Sequence, residues 1–119
     1  MKLNFYDLKH GFELTLDLRS GTTELGRHTI ENPELLSGHF SFRDGQISIS
    51  DARVSRRHGT FSCNGKSLSY TDNSKNGTYV KRDEEIERMP SGVPHILSSG
   101  AELYLLPRET GYRYKILVE

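Results

Sequence analysis

The sequence has one cysteine, no tryptophan, no excess of either charge and no long apolar run. A lone cysteine, Cys63, cannot close an internal disulfide, which suits a reducing compartment. Sixteen Lys and Arg residues face sixteen Asp and Glu, a formal net charge of zero. That balance argues against charge-driven binding to DNA, RNA or an anionic membrane and leaves room only for a local basic patch. The opening Met-Lys-Leu-Asn-Phe-Tyr-Asp carries no apolar core, and no run approaches the roughly eighteen residues that a membrane span requires. Secretory and transmembrane readings are therefore excluded, and the Asn76-Gly77-Thr78 sequon has no route to a glycan. Four prolines and eleven glycines are scattered as punctuation, so low complexity is absent as well.

What is present reads as one domain of strands. The 119 residues, 34 % hydrophobic, fit a single folding unit, expected to span residues 1–119. Phe12, Leu14, Leu16 and Leu18 alternate with Glu13, Thr15, Asp17 and Arg19, the period of a half-buried strand. Glu24 to Arg27 reads as a short second strand. Ile47 and Ile49 alternate with serines. Residues 58–63 and 66–71 flank Asn64-Gly65, a strong two-residue hairpin signal. Thr78-Tyr79-Val80 makes a further short strand, and Leu103 and Leu105 alternate in another. Pro107 to Gly111 turns, and Tyr112, Tyr114, Ile116 and Val118 line one face of a last strand. Helical evidence is confined to one turn between Arg82 and Met89, before Pro90, Gly92 and Pro94. Short strands spaced about ten residues apart predict an all-β antiparallel sandwich or barrel. Residues 28–46 show no periodicity and read as a long loop insertion, a length usually tied to function or mobility.

Catalytic constellations fail on spacing. Gly65-Lys66-Ser67 resembles the tail of a phosphate-binding P-loop. However, five residues separate Gly59 from Gly65 where four are needed, and a strand follows instead of a helix. No Gly-x-Ser-x-Gly elbow exists, and Ser55 with His58 lacks an orienting acid. Histidines 10, 28, 39, 58 and 95 have no paired metal-ligand spacing, so neither metal nor cofactor is expected. Asp83-Glu84-Glu85 with Glu87 reads as a solvated turn. Nothing supports an enzyme.

The remaining polar residues sit at strand ends. Gly26-Arg27 closes one strand, Arg53-Val54-Ser55-Arg56-Arg57-His58 precedes another, and Ser74-Lys75-Asn76-Gly77-Thr78 fills the next connection. Loops at one end of a sandwich converge, and these offer cationic and neutral donors without a carboxylate, a set suited to a phosphate dianion. In that order, Gly26-Arg27, Ser55-Arg56-Arg57-His58 and Asn76-Gly77 resemble the three signature motifs of forkhead-associated (FHA) domains. The flanking "ISISDARVSRRHGTF", "DNSKNGTYV" and "ILSSGAELYLL" are similar to that family too, from about Phe12 to the end.

The resemblance implies an FHA/SMAD-like sandwich of about eleven strands whose loops at one end bind phosphothreonine peptides, an Arg-cluster mode of recognition. It implies that Arg27 reaches the phosphate and the peptide backbone, that Ser55 donates its hydroxyl, that Arg56 contacts phosphate or peptide main chain, and that Asn76 holds the peptide backbone. It also implies that His58 is buried and architectural, with Gly26 and Gly77 serving close approach or positive φ. Lys75 departs from the family's Thr or Ser and either makes a charge-assisted contact or points into solvent. Arg53 either reads an acidic side chain three residues beyond the phosphothreonine or is solvated. The expected partners are phosphothreonine-containing proteins. The long 28–46 segment resembles inserts in checkpoint-kinase and DNA-damage members, which leans toward an intracellular, nuclear signalling role. One alternative is an FHA fold that binds partners or dimerises without phosphate. Another is nucleic-acid binding through Arg53, Arg56, Arg57, Lys75, Lys81 and Arg82, which the zero net charge opposes.

Overall fold

The structure, a computed structural model, describes residues 1–9, 11–27 and 40–119. The strands are β1 (Lys2–Asp7), β2 (Glu13–Asp17), β3 (Gly21–Arg27), β4 (Phe40–Arg43), β5 (Gln46–Ile49) and β6 (Gly59–Asn64). They continue with β7 (Ser67–Asp72), β8 (Thr78–Arg82), β9 (Glu85–Arg88), β10 (His95–Leu97), β11 (Glu102–Leu105) and β12 (Tyr114–Val118). Two six-stranded sheets form, in the orders β2-β1-β12-β11-β8-β9 and β10-β7-β6-β3-β5-β4. This is the expected all-β sandwich, with one parallel pair, β3 with β5, where antiparallel pairing was expected throughout.

Alternation explains which faces meet. Leu3 and Phe5 of β1, Tyr114, Ile116 and Val118 of β12, and Leu103 and Leu105 of β11 point inward from one sheet. Leu25, Ile47, Ile49, Phe61, Leu68 and Tyr70 meet them from the other. A run of rings crosses the gap: Phe40 lies 6.0 Å from Phe5, Phe5 6.3 Å from Phe61, and Phe61 4.8 Å from Tyr70. Full burial of such side chains contributes roughly 1.5–3 kcal/mol each before packing terms.

Several sequence expectations are corrected. Residues 40–46 of the supposed insertion are not loop. Phe40–Arg43 pairs with β5 through Asp44-Gly45, and both turn residues have positive φ, 52° and 73°. The rest of that segment, 28–39, lies outside the described residues. The Asn64-Gly65 hairpin shifts by one residue: Asn64 pairs with Ser67, and Gly65, at φ 56°, takes the first turn position with Lys66 beside it. The helical turn expected between Arg82 and Met89 is a hairpin, with Arg82 opposite Glu85 and Asp83 at φ 55°. An aspartate tolerates that left-handed conformation well enough to turn the chain there. The last strand begins at Tyr114. Tyr112, at φ 49°, lies outside it against Tyr79 and Tyr104.

Candidate functional site

The site begins as a bulge. Leu25 of β3 pairs with Gly59, the first residue of β6, and the pairing continues into the segment that precedes β6. The His58 N–H donates to the Leu25 carbonyl at 2.8 Å, and the Arg27 N–H donates to the Ser55 carbonyl at 2.9 Å. Between those two bonds Gly26 alone faces both Arg56 and Arg57, two residues against one. A Cβ on Gly26 would overlap the Arg56 carbonyl, so the bulge closes only on glycine. The consequence is that Ser55 is held beside Arg27 while two consecutive arginines are pushed to the outside.

His58, extending inward, is fully buried. Its Nδ1 accepts from the Ser55 N–H at 3.1 Å, and its Nε2 lies 3.1 Å from the Gly77 carbonyl. A backbone N–H can only donate and a carbonyl only accept, so the neutral ring with its proton on Nε2 satisfies both bonds. Burial keeps that ring neutral by lowering its pKa, against smaller upward contributions from the Gly77 bond and Asp72. The ring thereby ties the loop before β6 to the loop before β8.

That second loop is organised by buried Asp72. Its Oδ1 accepts from the Ser74 hydroxyl at 2.7 Å and from the Thr78 hydroxyl at 2.9 Å. Because the Thr78 proton is used there, Tyr70 donates its own to Thr78 Oγ1 at 3.0 Å. The Gly77 N–H donates to Ser74 Oγ at 2.9 Å, and Gly77 itself turns at φ 94°. Closed in this way, the loop delivers the Lys75 N–H to Ser55 Oγ at 2.9 Å and Asn76 Nδ2 to the Arg53 carbonyl at 2.7 Å. The Ser55 oxygen accepts from Lys75, and among the described residues its own proton has no acceptor, so it can donate outward.

Arg27 at the end of β3, Ser55 and Arg56 in the loop before β6, and Lys75 and Asn76 in the loop before β8 are thus gathered at one end of the sandwich. Among the described residues, no carboxylate pairs with Arg27, Arg56 or Lys75. Arg27 Nη1 makes one contact, 3.2 Å from the Ala52 carbonyl, and the Lys75 side chain is exposed. Arg53 differs: its Nε and Nη2 fork onto the two Asp51 oxygens at 3.0 and 2.8 Å. Burial works to raise the Asp51 carboxyl, but bonds from Arg53 and from the Tyr114 hydroxyl, at 2.6 Å, outweigh it and hold it at about 2. Arg53 therefore serves this end through its carbonyl, with its charge already matched. No group of three or more His, Cys, Asp or Glu residues that could hold a metal occurs among the described residues. A cluster of donors without carboxylates suits an oxyanion.

Sequence reasoning missed Asp51, Asp72, Ser74, Arg88 and Tyr114 as supports. Asp72-Asn73-Ser74 carries a legible signal, since Asp favours bonding the backbone two residues on, as its 3.3 Å contact with the Ser74 N–H shows. Arg88, whose Nη2 donates to the Lys75 carbonyl at 3.3 Å, leaves no such signal.

A family model described as the FHA domain matches residues 23–105, well over half of the chain. The chain belongs to the FHA family. Members of that family are phosphothreonine-binding modules, and it is a binding family, not a catalytic one. Solved FHA structures agree over nearly the full length. The FHA domain of FhaA, solved with the intracellular domain of Rv3910, is 25 % identical with a TM-score of 0.62, covering 99 % of this chain and 98 % of that one. The FHA domain of human APLF, solved with an XRCC1 bisphospho peptide, is 21 % identical with a TM-score of 0.64 and full coverage of both chains. An Arabidopsis thaliana FHA domain is 19 % identical with a TM-score of 0.63, covering 99 % and 86 %. No curated protein matches the sequence. No helix among the described residues of this FHA domain is long and apolar enough to cross a membrane.

Proposed function

We propose that this FHA domain binds phosphothreonine-bearing segments of partner proteins at the loop end built by Arg27, Ser55, Arg56, Lys75 and Asn76. The observation that carries this reading is the Ser55 hydroxyl, whose oxygen accepts from the Lys75 N–H and whose proton has no acceptor among the described residues, beside an arginine that no carboxylate among those residues neutralises. A phosphate monoester brings nearly two negative charges and three acceptor oxygens, which such donors match without rearranging. Related FHA domains support it: that of human APLF was solved with an XRCC1 bisphospho peptide, and another similar structure comes from a study of phosphothreonine-dependent FHA domain interactions. On the same reading Asn76 is assigned to the peptide main chain, and Arg56 to the phosphate or that main chain. A signalling role inside the cell, in a nuclear checkpoint pathway, is the finer form of the proposal; its support is the segment preceding β4 and the buried, unpaired Cys63.

Titration with a phosphothreonine peptide library, with phosphoserine and unphosphorylated copies, tests it. Selective binding of the phosphothreonine peptides is expected. Arg27→Ala and Ser55→Ala each lower affinity at least tenfold while the melting transition stays cooperative. Undiminished affinity in a folded Arg27→Ala protein sinks the site, and equal binding of unphosphorylated peptides moves the reading to a phosphate-independent interface.

A further inference from the structure

The bulge that sets Ser55 in place also creates a second feature. Arg56 and Arg57, pushed out opposite Gly26, line a groove of about 570 Å³ together with Glu24, Leu25 and Gln46. Its floor is the parallel pair β3–β5, where Glu24 lies opposite Gln46 on the outer face of the sheet. The backbone on both sides of the two arginines is pinned by the bonds to Leu25 and Arg27, so their side chains spring from a fixed base. Among the described residues neither guanidinium has a hydrogen-bond or ion-pair partner. The one carboxylate in the groove, Glu24, accepts from the Thr60 hydroxyl at 3.0 Å. The groove adjoins the phosphate-binding loops through Arg56. The arginine that the sequence offered for reading an acidic flank, Arg53, is meanwhile occupied by Asp51.

We infer that this groove takes an acidic side chain of the same phosphopeptide and that Arg57 is the residue that reads it. The inference rests on the phosphothreonine reading above. Charge complementarity names the occupant: Arg57 offers a planar fork of donors that a carboxylate fits, and the Gln46 amide adds a neutral donor at the edge. Arg56, shared between groove and phosphate, biases the ligand toward negative charge throughout. Lysine-rich flanks are disfavoured by the same charges.

The test is a double-mutant cycle on the full chain. Wild type and Arg57→Gln are titrated with phosphothreonine peptides carrying Glu, phosphoserine or Ala at each flanking position in turn. At one or two positions the Glu peptide binds wild type about three- to tenfold tighter than the Ala peptide. Arg57→Gln abolishes that preference and leaves the Ala peptide within twofold, and raising the salt concentration shrinks the preference in wild type only. Wild type that binds every phosphothreonine peptide with equal affinity at all flanks, or a Glu preference that survives Arg57→Gln, overturns the inference and leaves the phosphate site standing. Preference confined to the phosphoserine peptide overturns the carboxylate assignment in favour of a second phosphate. Failure of every phosphothreonine peptide to bind removes the phosphothreonine reading, and this inference with it.

Discussion

His58 shows how one ring can set the state of a site without touching its ligand. Protonation at Nδ1 would place a proton where the Ser55 N–H already donates, so the cationic ring forfeits one of its two bonds. Its folded pKa is depressed below 6.5. The unfolded chain therefore takes up the proton first, and stability is full above about 6.5 and declines as pH falls below it. Melting temperatures between pH 7.5 and 5.5 are expected to drop more in wild type than in His58→Ala. That variant starts lower, by about 2–4 kcal/mol, for the lost ring and its bonds. Equal slopes would refute the neutral tautomer. At this scale the sequence was informative where a motif supplies chemistry: Arg27, Ser55, Asn76 and His58 stand out by type and order. It offered Arg53 as a reader of an acidic flank or a solvated side chain and missed its ion pair, because the partner that commits it, Asp51, is itself fixed by Tyr114, 63 residues further along.

At the scale of elements, glycines and turns decide where side chains face. Gly26→Ala forces the Arg56 carbonyl away and opens the bulge. A loss of about 1–3 kcal/mol in urea unfolding is expected, together with weakened phosphopeptide affinity. A fully active, equally stable alanine variant would contradict the two-against-one packing. Period 2 made β2 legible, the Asn64-Gly65 signal did so for β6 and β7, and Leu103 with Leu105 marked β11. Strand β4 was missed although Asp44-Gly45 between Phe40, Phe42 and Ile47, Ile49 is a hairpin signal of the strongest kind; the aperiodic stretch before it masked the pattern. The β8–β9 hairpin was unreadable for a different reason. Glu85 to Arg88 carries charge on both faces, and only pairing with Tyr79 to Arg82 makes it a strand.

For the molecule as a whole, the two sheets are joined beneath the binding end by a polar strut. Tyr114 from one sheet donates to Asp51 in the loop of the other, and Asp51 holds Arg53. With a folded pKa of about 2 against 3.8 in the unfolded chain, Asp51 contributes stability that is complete above about pH 4 and lost as pH falls through 2. The contribution is about 2 kcal/mol. Asp51→Asn is thus expected to cost stability at pH 7 and progressively less at pH 3 and 2, measured by urea midpoints. A cost that does not vary with pH would assign the effect to packing. The strut was invisible in the sequence because nothing in a linear pattern joins residues 51 and 114.

The first strand lies between β2 and β12, with Leu3 opposite Val118 and Phe5 opposite Ile116. In that sheet the pair β2 and β1 is therefore joined to β11, β8 and β9 only through β12, the last of its strands in chain order. While the ribosome still encloses residues 114–118, β1 and β2 can meet only each other, and a lone hairpin of that size does not persist in water. The nascent chain must keep Leu3, Phe5 and Leu103 uncovered until translation of this stretch is finished, and then close its core in one late, long-range step.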